Sequence, residues 1–347
     1  MANKHMPYDL AQMQSLPLEV KIRMTKYRIR EWYEHWDGMV YVSFSGGKDS
    51  TVLKHIVDSM YDDVPALFVN TGLEYPEIQK FAMSQKNVVT VRPEMRFDEV
   101  LKSYGYPVIS KEVSKYIKEA RRALEIGDTE YYALQKLEGR LLDKYGNKSV
   151  YNREKWGFML DAPFEISGRC CDVMKKRPAH KYEKETGRKP FIGTLAEESK
   201  LRYQSWLKNG CNAFGKKNPS SQPLSFWTEQ DVLHYLKKYN VPYCSVYGEI
   251  VAHDAYGNPY YVTEVHVETF PDSRLYTTGC DRTGCIFCMF GCHLEKEPNR
   301  FQRLKETHPR QYDYCINGGE YVDGKWQPSK EGLGLGKVLD YIGVKYD

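Results

Sequence analysis

Met39-Val40-Tyr41-Val42-Ser43-Phe44-Ser45-Gly46-Gly47-Lys48-Asp49-Ser50 is the stretch on which the reading of this chain turns. Its first half is rich in β-branched and aromatic residues, as a buried strand is. Beyond it Val52, Leu53, Ile56, Val57 and Met60 recur at helical spacing. The order is therefore strand, tight loop, helix. Gly46 and Gly47 carry no β-carbon, so the backbone turns sharply there and lets a ligand come close. Amide groups at a helix start point at an anion and add the helix dipole to their hydrogen bonds. Lys48 contributes a point charge, Ser45 and Ser50 contribute hydroxyls, and Asp49 either holds Mg²⁺ or caps the helix. The expected ligand is a phosphate group.

Outward from this loop the pattern repeats. Upstream, Leu18, Ile22, Ile29, Tyr33 and Trp36 form one helical stripe that Gly38 ends. Downstream, Ala66-Leu67-Phe68-Val69-Asn70 reads as a strand, 77–83 as a helix, Val88-Val89-Thr90-Val91 as a strand, and Pro190-Phe191-Ile192-Gly193-Thr194 as a later strand. Strands alternating with helices predict an α/β fold, a doubly wound parallel sheet covered on both faces. The charged stretch 111–148 reads as a helical insertion. Thr228 and Asp231 open a helix that runs to about Tyr239, before Pro242. The texture changes near Gly248. Three parts are expected: a helical segment 1–38, a nucleotide-binding domain 39–248 and a smaller cysteine-rich, metal-binding module 249–347.

The 347 residues are 41% hydrophobic and 28% charged, enough for a full α/β core with an appendage. A formal charge of +4 implies no polyanion partner by itself, although Lys175, Lys176, Arg177, His180 and Lys181 cluster, as do Lys216 and Lys217. No apolar run is long enough to cross a bilayer and the start lacks the apolar core of a secretory signal, so a cytoplasmic protein is expected. Of nine cysteines, Cys170 and Cys171 are adjacent and Cys280, Cys285, Cys288 and Cys292 crowd together. In a reducing compartment that arrangement points to metal or sulfur chemistry.

The loop differs from Gly-x-x-x-x-Gly-Lys and resembles the pyrophosphate loop of the ATP pyrophosphatase superfamily. From Met39 to about Cys292 the chain resembles the phosphoadenosine phosphosulfate (PAPS) reductase family within it. The likeness is carried by Phe68-Val69-Asn70-Thr71-Gly72-Leu73-Glu74-Tyr75-Pro76-Glu77 and by Cys170-Cys171 with Lys175 and Pro178. It continues in Ile192-Gly193-Thr194 with Glu197, Glu198, Ser199 and Arg202, in Pro223-Leu224-Ser225-Phe226-Trp227-Thr228, and in Gly284-Cys285-Ile286-Phe287-Cys288. The resemblance implies an adenine nucleotide alpha hydrolase-like fold. It adds Ser43, Thr71, Gly72 and Gly193 to Ser45, Gly46, Gly47, Lys48, Asp49 and Ser50 as nucleotide contacts, and implies catalytic roles for Lys48, Asp49 and Arg202.

Two metal-ligand sets are open. Cys170, Cys171, Cys285 and Cys288 match the family pattern and would hold a [4Fe–4S] cluster; Cys280, Cys285, Cys288 and Cys292 would close a local Zn²⁺ knot. Reductases of this family have a degenerate phosphate loop and a late cysteine in a Glu-Cys-Gly-x-His context. Here the loop is intact and Cys315 lies in Tyr314-Cys315-Ile316-Asn317. The chain is accordingly similar in character to the ATP-pyrophosphatase component of DNA phosphorothioation systems and to iron–sulfur tRNA thiolases. Such relatives cleave ATP to AMP and pyrophosphate and pass on sulfur, with a cysteine desulfurase or another sulfur donor protein as partner. Lys111 and Arg169 are further candidate phosphate or substrate contacts, and the acceptor is open between DNA, tRNA and a small metabolite. The rival readings are sulfonucleotide reduction with sulfite release, with Cys315 or Cys292 as nucleophile, and a nucleotide-gated regulatory protein.

Overall fold

The strand read from Val40 is the centre of a six-stranded sheet. In the computed structural model, which describes residues 3–347, the sheet order is β3-β2-β1-β4-β6-β5. Its strands are β1 (Val40–Phe44), β2 (Ala66–Val69), β3 (Val88–Val91), β4 (Lys189–Ile192), β5 (Asn212–Ala213) and β6 (Ser220–Ser221). Neighbours from β3 through β6 run parallel; only β5 is antiparallel to β6. Parallel neighbours require crossovers, and the helices Lys48–Asp58 and Pro76–Ser84 supply those from β1 to β2 and from β2 to β3. The order turns outward in opposite directions from β1, which makes this a doubly wound α/β sheet, with the switch on either side of β1.

The chain divides into two compact units. One comprises residues 1–70, 74–92 and 178–283; the other comprises 71–73, 93–177 and 284–347. These borders and the change of texture near Gly248 do not coincide.

The first unit holds the sheet. Val40, Val42 and Phe44 of β1 pack with Val52, Leu53, Ile56 and Val57 of the following helix, with Ile29 and Trp32 of the helix Leu18–His35, and with Leu224, Phe226 and Trp227. Two polar contacts anchor that layer. The Trp227 indole N–H donates to Thr25 Oγ1 at 2.9 Å, and Lys21, 2% exposed, pairs with Asp231 at 2.7 Å. Asp231 is also the capping partner of Thr228 at the start of the helix Glu229–Lys238. An antiparallel sheet of β7 (Ile250–His253), β8 (Pro259–Tyr261) and β9 (Leu275–Thr277) completes this unit, with β7 in the middle.

The second unit contains the inserted helices Phe97–Tyr104, Lys111–Glu125 and Tyr132–Leu137, and the late helices Arg300–Thr307, Pro309–Ile316 and Leu335–Tyr341. The helix Lys111–Glu125 starts at Ser110, whose hydroxyl accepts the Val113 N–H at 3.1 Å. Arg121 on this helix donates to the carbonyls of Met159, Leu160, Ala162 and Phe164, so one guanidinium orders the whole segment before the cysteine pair. The Tyr106 hydroxyl, buried, donates to the Leu333 carbonyl and ties the insertion to the C-terminal helices. A hairpin of β10 (Glu320–Val322) and β11 (Lys325–Gln327) lies in the same unit. No helix among the described residues is long and apolar enough to cross a membrane.

Candidate functional site

The loop between β1 and the helix Lys48–Asp58 is held by its own polar groups. The Ser45 amide donates to Ser50 Oγ at 3.2 Å, and the two hydroxyls lie 3.1 Å apart. Ser50 Oγ and Thr51 Oγ1 both donate to the Gly47 carbonyl, at 3.0 and 2.9 Å. Gly46 has φ +73°, and a β-carbon there would meet the Ile78 carbonyl oxygen at 3.2 Å, so the turn needs glycine on both counts. Ser43, half-buried on β1, pairs in register with Leu67 and Ile192.

Gly193, just after β4, lets the loop approach. A β-carbon on it would lie 3.0 Å from the Asp49 carbonyl oxygen and 3.0 Å from the Ser50 α-carbon. The structure thus brings Gly193 against the backbone of Asp49 and Ser50. Thr71 and Gly72 belong to the second unit; there Thr71 Oγ1 accepts the Leu73 amide at 3.1 Å.

Around the helix start stand residues that the motif reading did not single out. Lys48, 5% exposed, pairs with Glu229 Oε1 at 3.1 Å, and its ammonium lies 5.2 Å from the centre of the Tyr247 ring. The Lys48 amide donates to the Tyr247 hydroxyl at 3.4 Å, and that hydroxyl is 2.6 Å from Thr283 Oγ1. Burial raises the Tyr247 pKa, so the ring stays a neutral phenol. Glu229 is positioned by the cap of its helix and by its own amide, which donates to Glu197 at 2.7 Å. No local sequence signal marks Glu229, Tyr247 or Thr283 as neighbours of Lys48, from which they are separated by 181 to 235 positions along the chain (229 − 48 and 283 − 48).

A second group flanks the loop. Glu198 binds both Arg202 and Arg282. Burial raises the Asp49 carboxyl pKa; Lys48, Arg282 and Arg202 pull it back, and Glu229 pushes it further up. Arg202 has its pKa lowered by burial first, then by Arg282. Asp49, Arg202, Arg282 and Glu198 therefore sense one another electrostatically beside the loop. Of these, only Arg282 lies outside the motifs quoted above.

In the second unit, Cys170 and Cys171 begin a helical segment that passes at once into a π-turn, Asp172–Lys176. One extra residue in a turn re-aims the side chains before it, and such turns recur at functional sites. Cys285 and Cys288 lie in a tight turn, the Cys288 amide donating to the Cys285 carbonyl at 3.1 Å. The Ile286 amide donates to the Leu73 carbonyl at 2.8 Å, and Arg300 donates to the Cys288 carbonyl at 2.8 Å. Burial raises the pKa of Cys170, and Cys285, Cys171 and Cys288 raise it further; burial also raises that of Cys288, with Cys171 adding to it. Cys171, Cys285 and Cys288 thus lie within electrostatic reach of Cys170. Among the described residues, no group of three or more His, Cys, Asp and Glu side chains is arranged to hold a metal ion.

The other cysteines differ. Cys292, 1% exposed, donates to the Met289 carbonyl at 3.0 Å, and burial pushes its pKa up to about 11. Cys280 belongs to the first unit. Cys315 is fully buried, and burial alone lifts its pKa well above the ordinary thiol range.

The chain is 28% identical over 121 residues to an uncharacterized protein of Methanocaldococcus jannaschii, a stretch that covers 30% of this chain and 29% of that protein. This chain thus spans less than a third of that relative's length. It is also similar to the crystal structure of phosphoadenylyl-sulfate reductase from Candida auris in its phosphate complex, at 14% identity and a TM-score of 0.36, covering 71% of this chain and 92% of that one. The model of the phosphoadenosine phosphosulfate reductase domain matches residues 39–125 and 110–290, a span that encloses the phosphate loop, both Arg202 and Arg282, and both cysteine pairs. With more than half of its length so matched, this chain belongs to the phosphoadenosine phosphosulfate reductase family.

Proposed function

We propose that this protein binds ATP at the loop Ser45–Ser50, cleaves it between the α- and β-phosphates, and so activates an acceptor for sulfur transfer. The observation that carries the reading is the intact loop at the start of the helix Lys48–Asp58, where the Lys48 amide donates to the Tyr247 hydroxyl and the Lys48 ammonium pairs with Glu229. A phosphate oxygen would take the Lys48 amide from the Tyr247 hydroxyl, a neutral acceptor that yields it at little cost. Lys48, Arg202 and Arg282 stand against Asp49, Glu198 and Glu229, a balanced set. A polyphosphate therefore arrives with a divalent ion, which Asp49 would hold.

The step balances as follows. An acceptor oxygen attacks the α-phosphorus, the bond to the bridging oxygen breaks, and pyrophosphate leaves. Position and electrostatics carry it, since the loop donors meet charge where it develops. The adenylated oxygen then leaves as AMP when a hydrosulfide takes its place; a donor persulfide would instead form an acceptor–S–S–donor disulfide, which a second thiol of the donor cleaves to release the thiolated acceptor and leave a disulfide on the donor.

Cys170, Cys171, Cys285 and Cys288 would hold the [4Fe–4S] cluster of this reading. The support for this set is that Cys171, Cys285 and Cys288 all act electrostatically on Cys170, and four cysteine thiolates are the ordinary ligands of such a cluster. When bound, such a cluster supplies a redox-active, sulfide-bearing centre. Burial of Cys315 and Cys292 disfavours the reductase reading, because each thiol is kept protonated and out of reach. Pyrophosphate release from Mg-ATP by the anaerobically purified protein, with and without acceptor nucleic acid and sulfide, tests the proposal. Sulfite release from a sulfonucleotide with a thiol donor, and no pyrophosphate from ATP, would overturn it.

A further inference from the structure

Within the second unit, Lys111, Lys115, Lys118 and Arg122 recur along the helix Lys111–Glu125 at steps of four, three and four residues, which places them on one face. At about 1.5 Å per residue, neighbours in this stripe stand about 5–6 Å apart along the axis and the outer pair about 16 Å apart. The face lines a cleft of about 1060 Å³. Like charges one turn apart repel and weaken a helix.

The cleft's carboxylates do not neutralise it. Glu119 pairs with Lys115 at 3.7 Å, and Glu165 pairs with Lys325. Lys111, Lys118 and Arg122 are exposed and have no carboxylate partner among the described residues. Arg169, which also lines the cleft, stacks over the Tyr104 ring at 5.4 Å. Glu125 and Asp161 are the remaining acids of the lining. A positive surplus is left, strung out rather than focused on one point.

The cleft leads to the thiols. Arg169 immediately precedes Cys170, and a β-carbon on Gly168 would lie 3.2 Å from the Lys111 carbonyl oxygen. The segment carrying the cysteine pair thus runs against the start of the basic helix. We propose that this cleft binds the phosphodiester backbone of a nucleic acid, laid along the helix Lys111–Glu125 with one end at Arg169 and the Cys170–Cys171 pair. Cations spaced along an axis match a chain of evenly spaced phosphates. The inference rests on the proposed sulfur transfer for its purpose, supplying the acceptor's class, but the binding stands apart from ATP cleavage.

The test is fluorescence anisotropy of labelled single-stranded DNA, single-stranded RNA and duplex with the full chain, without ATP, across a salt series. The wild type binds at least one of the three with a steep salt dependence. In the triple variant Lys111→Ala, Lys118→Ala, Arg122→Ala, the slope of log affinity against log salt falls by roughly 2, from three contacts at about 0.7 each for a single strand. A charge-matched control, Lys86→Ala, Lys184→Ala, Lys208→Ala, removes exposed lysines of the first unit and leaves the slope unchanged. Equal losses in both triples would reduce the effect to net charge and overturn the site, as would a wild type that binds none of the three at low salt. A wild type that binds but releases no pyrophosphate from ATP would overturn the ATP reading alone.

Discussion

Replacing Lys48 by Met separates binding of the nucleotide from stability of the fold. The ammonium is 5% exposed and its carboxylate partner Glu229 lies 3.1 Å away with a side chain 48% exposed. Loss of the charge therefore leaves Glu229 free to turn toward water, and the methionine keeps the apolar stem against Tyr247. The stability change should be about 1 kcal/mol or less, the range of pairs with one partner in solvent. A charge-assisted hydrogen bond to phosphate is worth about 1.5–3 kcal/mol. At about 1.36 kcal/mol per decade, kcat/KM for pyrophosphate release should fall roughly 10- to 150-fold. A coupled pyrophosphate assay with Mg-ATP, beside a thermal melt, reads both quantities. The companion Glu229→Gln change works in the opposite sense: it leaves Lys48 buried without its anion, so the melt moves down while the KM for ATP stays equal or falls. If Lys48→Met keeps pyrophosphate release within about twofold of wild type in a folded protein, the loop is not the nucleotide site.

Gly193→Ala inserts a methyl 3.0 Å from the Asp49 carbonyl oxygen and should displace the loop, raising the KM for ATP while costing about 1–3 kcal/mol of stability; unchanged KM with an unchanged melt would show that this contact does not shape the site. Anaerobic preparations of Cys170→Ser or Cys285→Ser should lose iron and acid-labile sulfide, whereas Cys292→Ser, whose thiol already bonds to the Met289 carbonyl, should retain both; zinc lost instead from Cys292→Ser would favour the local set. Burial raises the Asp49 pKa in the folded state, so the folded protein holds that proton more tightly than the unfolded chain, and stability falls as pH rises through the folded value. Asp49→Asn should thus melt higher than wild type at neutral pH, with the difference vanishing below the ordinary value of 3.8; a difference that grows on acidification would reverse the assignment.

Much of the fold is legible from local chemistry. The run Val40–Phe44 forms a strand and Thr228 forms its capping box with Asp231, each where hydrophobic period and cap chemistry predict it. These features depend on residues a few positions apart, so the chain states them directly. The two-residue strands β5 and β6 and the π-turn after Cys171 carry no such period, because tertiary pairing and packing create them.

The loop Ser45–Ser50 and both cysteine pairs could be read in the sequence, since each is a short pattern whose chemistry lies in its spacing. What tertiary structure alone decided is which distant groups share their surroundings: Glu229 and Tyr247 at Lys48, Arg282 with Arg202 on Glu198, and the four thiols within one another's field. Burial belongs to the same category. Whether Cys315 is a nucleophile or a core thiol depends on what packs around it, and no spacing along the chain reports that.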